Sequence, residues 1–127
     1  MSKLVQEWIK KARGDLKVAR FLFEAEQDFD YQIAYHCQQC AEKMIKAYLT
    51  AHRKRYPKTH DIAKLVDIIQ SVNEDLAAVL RQAEPLTNMG LGQRYPDAVK
   101  EPLSKSNVKL ALKLAELTFE KIAGELI

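Results

Sequence analysis

The sequence predicts an all-helical protein, a single-domain bundle of about five helices spanning residues 1–127. Three observations lead to that expectation. Long stretches place apolar residues at i, i+3, i+4 and i+7, the period of a helix buried on one face. No stretch alternates apolar and polar residues between turn signals, as a half-buried strand would. Hydrophobic residues make up 47% and charged residues 29%, the balance of one folded core rather than of a disordered chain.

The first helix is expected from about Lys3 to Glu26, where Val5, Trp8, Ala12, Ala19, Leu22 and Phe23 recur at helical spacing and Ile9 and Leu16 widen the stripe. Asp28 and Asp30, on either side of Phe29, interrupt and recap the chain. A second helix from Tyr31 to about Arg53 carries two apolar rows, Ile33-Cys37-Cys40-Met44 and Ala34-Ala41-Ile45-Tyr48. An apolar arc that wide marks the central helix of a bundle. Pro57 ends it, and Thr59 or Asp61 can cap a short third helix through Ile62, Leu65, Val66 and Ile69. Ser71 followed by Glu74 fits a capping box for a fourth helix bearing Leu76, Val79, Leu80 and Ala83, stopped near Pro85. Gly90, Gly92, Pro96 and Pro102 then predict a long irregular connection from Pro85 to Leu103, of the kind that often carries function. Ser104 or Ser106 opens the last helix, with Val108, Leu112, Ala115, Phe119 and Ile122 on one side.

A net charge of +3 permits contact with phosphate without requiring it. The amino terminus becomes amphipathic at once, with no signal-peptide pattern, and no segment approaches the roughly 20 apolar residues of a membrane span. The expected location is the cytoplasm, with no membrane association. Cys37 and Cys40 lie one helical turn apart in mid-helix with no second cysteine pair, so they are expected to be core thiols rather than a redox pair or half a zinc site. No cofactor fingerprint or metal-ligand set stands out, and neither a cofactor nor a metal is expected.

Several polar residues do not fit a plain bundle. Asp15 shares a face with Trp8, Ala12, Ala19 and Leu22, where a carboxylate must find a partner, whether in a structural ion pair or in a ligand site. Gln38 lies on the apolar row of Ala34, Ala41 and Ile45, and with Glu42 is a candidate to line a crevice. His36, Gln39 and Lys43 form a neighbouring polar face, continued by Lys46, Thr50 and Arg53, in the pattern of a solvated surface. The segment from His52 to His60 holds Arg53, Lys54, Arg55 and Lys58 around Tyr56, a composition able to hold phosphate and stack on a base. It equally suits a helix end whose carbonyls attract cations. In the stretch from Asn88 to Asp97, Arg94 and Tyr95 stand beside two glycines that permit close backbone approach, without the Gly-Lys-Ser/Thr ending of a phosphate loop.

Taken together, these segments resemble HEPN domains: Trp8, Ala12 and Asp15-Leu16; Tyr35 through Lys43 with Lys46-Ala47-Tyr48-Leu49; Lys58-Thr59-His60-Asp61-Ile62; and Arg94-Tyr95-Pro96. The resemblance covers nearly the whole chain. It implies an up-and-down antiparallel helical bundle, commonly a homodimer, often paired with a separate minimal nucleotidyltransferase protein in a toxin–antitoxin-like module. On that basis Asp15, Gln38, Glu42, Lys43, His60, Arg94 and Tyr95 are expected to frame a crevice for a nucleotide or for that partner protein. HEPN ribonucleases use an Arg followed by a polar residue and then a His four to six positions after the Arg. Here Arg94 is followed by Tyr95-Pro96-Asp97, and no histidine occurs beyond His60. Arg55 and His60 satisfy the bare spacing, which leaves a metal-independent endoribonuclease as the enzymatic alternative, and a non-catalytic helical adaptor as a third.

Overall fold

The computed structural model describes residues 1–92 and 102–127. Ser2 caps helix α1 (Lys3–Glu24), its hydroxyl accepting from the Val5 amide at 3.2 Å, and Val5, Ile9, Ala12, Leu16 and Ala19 form its buried stripe. Helix α2 (Asp30–Ala51) is the central one, buried along both expected apolar rows and packed against four other helices. Asp61 caps α3 (Ile62–Gln70) and Asn73 caps α4 (Glu74–Leu80), each side-chain oxygen accepting an amide of the first turn at 3.0 Å. The expected capping box at Ser71 is therefore corrected: Ser71 closes α3 instead, donating its hydroxyl to the Ile68 carbonyl. A short 3-10 turn (Arg81–Ala83) leads to α5 (Leu86–Leu91), and Ser104 caps α6 (Lys105–Leu126).

Helix α5 overturns part of the expectation of irregular chain after Pro85. Pro85 stands at its N-cap, where its fixed φ suits a helix start. Gly90 is buried because α5 lies almost on the backbone of α2: a Cβ there would stand 2.5 Å from Gln38 Cβ and 2.8 Å from the Ala34 carbonyl oxygen.

The directions of the long helices follow from their cross-contacts. Asp15 pairs with residues 36 and 43 while Lys46 lies over Trp8, so α1 runs antiparallel to α2. Arg20 meets Glu116 at 2.8 Å and Arg13 lies over Phe119, so α6 is antiparallel to α1 as well. Lys105 pairs with Asp30 at 2.8 Å, which places the start of α6 beside the start of α2. Among the described residues the architecture is all-helical, and no helix is long and apolar enough to cross a membrane.

Candidate functional site

At 100° per residue, Tyr35, His36, Gln39, Glu42, Lys43 and Lys46 fall within about a third of the circumference of α2. This polar sector lies between α1 on one side and the segment leading into α3 on the other. The α1 side supplies the carboxylate partner of His36, and the other side supplies His60, whose partner Glu42 belongs to α2.

On the α1 side, the Asp15 carboxylate accepts from His36 Nδ1 at 2.8 Å and from Lys43 Nζ at 2.7 Å. Burial opposes its charge, but the hydrogen bonds from His36 and Lys43 and the lysine charge outweigh that, and the Asp15 carboxyl sits below the usual range. On the other side Glu42, with its side chain 4% exposed, accepts from Gln38 Nε2 at 3.0 Å, Lys46 Nζ at 2.8 Å and His60 Nδ1 at 2.9 Å. Again burial raises its pKa and the three donors more than reverse it. Lys46 Nζ also lies 5.8 Å from the ring centroids of both Trp8 and Tyr56, so this ammonium leaves water among a carboxylate and two aromatic faces.

A carboxylate only accepts, so each histidine must donate from Nδ1. In a neutral ring the other nitrogen, Nε2, is then an unprotonated acceptor. For His60 that edge faces outward, since its side chain is 58% exposed while its anchor is buried.

The segment from Tyr56 to His60 runs back along α2. Tyr56 lies beside Thr50 and Lys46, and His60 beside Glu42 and Gln38, so Lys58 falls between these levels. The turn that starts this segment is a Schellman motif: Lys54 N–H donates to the Leu49 carbonyl at 2.9 Å and Arg53 N–H to the Thr50 carbonyl at 3.1 Å. Arg53 occupies the left-handed position, φ 55°, which glycine normally takes, at a cost of about 1–2 kcal/mol. Retaining an arginine there keeps a guanidinium at the end of α2.

The sequence candidates are thus gathered along α2 in two neighbouring clusters. Asp15 and Lys43 belong to the first, Gln38, Glu42 and His60 to the second, and no hydrogen bond joins Asp15 to the second cluster among the described residues. The partner of His60 Nδ1 is Glu42, while Arg55 is an exposed neighbour on the basic segment. Arg94 and Tyr95 lie outside the described residues. Three residues of the expected solvated face are corrected, Lys43 among them through its bond to Asp15. His36 is tied to Asp15, and Lys46 is only 8% exposed. The signal that could have flagged Lys46 is Glu42 four residues earlier, an ion-pair spacing next to a buried row. Cys37 and Cys40 are both fully buried, and burial pushes the Cys37 thiol up to about 12 and the Cys40 thiol higher still, which makes them inert core thiols.

The HEPN domain family model matches residues 5–125. Among solved structures, an archaeal HEPN homologue is 22% identical over 100% of both chains, with a TM-score of 0.75. A protein from Thermus thermophilus is also 22% identical, over 98% of this chain and 99% of its own, with a TM-score of 0.74. At that identity the likeness is one of fold. No curated protein matches the sequence.

Proposed function

The chain belongs to the HEPN domain family, and from that premise we propose that it is an accessory nucleotide-binding module, acting as a homodimer beside a separate minimal nucleotidyltransferase in a toxin–antitoxin-like pair. The observation that carries this reading is His60. Its Nδ1 is held at 2.9 Å by a buried carboxylate, its opposite edge is open, and it ends a segment with four Lys and Arg side chains. Such a group binds phosphate when protonated and accepts a ligand hydrogen bond when neutral. Lys58 and Arg55 supply the permanent charge, and Arg94 and Tyr95 are proposed to complete the site by meeting phosphate and stacking on the base. Association with the nucleotidyltransferase rests on the resemblance, and co-purification of the two proteins tests it.

Calorimetric titration with each of the four ribonucleoside triphosphates tests the binding reading. At least one is expected to bind, and His60→Ala is expected to weaken it by about ten- to a hundredfold, the worth of a hydrogen bond to a charged group. No binding by any of the four, or equal binding by His60→Ala, contradicts the reading. The Glu42–His60 pair is also the arrangement of an oriented general base, which favours the endoribonuclease as the second reading. Cleavage of RNA in the presence of a chelator, lost in His60→Ala, would establish that activity instead.

A further inference from the structure

The buried Glu42 carboxylate fixes the direction of a hydrogen-bond chain along α2. Because Glu42 only accepts, Gln38 must turn its Nε2 toward it, and the same Nε2 lies 2.9 Å from the His60 carbonyl. That leaves Gln38 Oε1 as an acceptor, which takes Gln39 Nε2 at 2.7 Å. Among the described residues Gln39 therefore ends the chain with its carbonyl oxygen, Oε1, on a half-buried side chain. Asp15 imposes the same polarity on His36. Its Nδ1 is committed at 2.8 Å, so the neutral ring keeps Nε2 as an acceptor, one helical turn from Gln39. Tyr35 meets the His36 ring edge-on, with centroids 5.5 Å apart, and Tyr31 lies 6.3 Å from Tyr35.

One place on α2 thus offers two acceptors beside flat rings, while the adjacent segment offers cations. The complementary ligand is a planar ring with hydrogen-bond donors on its edge and an anionic tail. We propose that Gln39 Oε1 and His36 Nε2 read the amino-bearing edge of a nucleotide base, with the phosphates toward His60 and Lys58; this rests on the nucleotide-binding reading above. Guanine, whose N1–H and 2-amino group are adjacent donors, matches two acceptors, and adenine and cytosine each present one amino group. A base without an amino group leaves an acceptor unpaired in a half-buried site, the situation that discriminates most strongly between ligands.

Titrations at pH 8, where free imidazole is neutral, with GTP against ITP and ATP against purine riboside triphosphate isolate this edge, because each pair differs only in the amino group. In at least one pair the amino-bearing nucleotide is expected to bind about tenfold more tightly. Gln39→Leu is expected to erase that difference, while Lys58→Ala, which removes a permanent positive charge from beside the phosphates, weakens both members of the pair alike. Equal affinities within both pairs, or a preference that persists in Gln39→Leu, overturns the base-edge assignment and leaves nucleotide binding standing. Failure of all four purine nucleotides to bind overturns the base-edge assignment, and the nucleotide-binding reading falls with it when CTP and UTP fail to bind as well.

Discussion

Glu42→Ala is expected to lower the unfolding free energy by about 3–5 kcal/mol, because it breaks a buried ion pair from one side only. The lysine left behind has nowhere to go. Lys46 is 8% exposed and lodged between the Trp8 and Tyr56 rings, and the His60 and Gln38 donors lose an acceptor at the same time. Urea unfolding followed by circular dichroism measures the loss, and a change below about 1 kcal/mol is what an exposed pair would give. The effect also has a pH signature. The folded-state pKa of Glu42 is depressed, so its contribution is fully present above the ordinary glutamate value of 4.5 and is lost as pH falls through the lower folded value. The gap between wild type and Glu42→Ala should therefore be constant at neutral pH and narrow only in acid. Asp15 is depressed in the same direction and adds to acid sensitivity in both proteins.

Gly90→Ala is expected to destabilise by about 1–3 kcal/mol, the range for overpacking a closed contact. The new methyl would meet a backbone oxygen at 2.8 Å and the Cβ of Gln38 at 2.5 Å, neither of which is the free end of a flexible side chain. Helix α5 must move away from α2, and Gln38 moves with it. The methyl then disturbs the amide that holds Glu42 and the His60 carbonyl, so ligand affinity should fall together with stability. Gly14→Ala is the control: it lies on the exposed face of α1 with nothing within 4 Å of its Cβ, and is expected to be neutral or stabilising by up to about 1 kcal/mol. Equal effects at the two positions, read from the same unfolding curves, would show that the α5–α2 contact is looser than described.

The parts legible in the sequence are those set by local chemistry. The apolar stripes of α1, α2 and α6 announced themselves by their period, and Asp61 and Ser104 by their capping chemistry. At α4 the same chemistry pointed two residues early. Ser71 and Asn73 are both cap residues, but the Val72 and Asn73 amides still return to the Ile69 carbonyl and close α3. Helix α5 was hidden because Pro85 and Gly90 look like punctuation. Only the packed structure shows that proline begins the helix and that glycine is the spacer between two backbones. In the site, the need of Asp15 for a partner was evident, yet its identity was not, since His36 is 21 residues away and had an equally good reading as solvated surface. Lys46 was obscured for a related reason: the rings that shelter it come from α1 and from the segment after α2.

Two carboxylates engage Nδ1 of two histidines and so leave Nε2 of each ring for a ligand. Two-dimensional nitrogen NMR of the imidazole side chains at pH 8 measures this directly. In the free protein His36 and His60 are each expected as the Nδ1–H tautomer with an unprotonated Nε2, and the His36 Nε2 resonance is expected to shift as it accepts from the base of a bound nucleotide. A neutral His60 in the Nε2–H form in the free protein, or a His36 nitrogen signal that ignores a bound nucleotide, would contradict this arrangement.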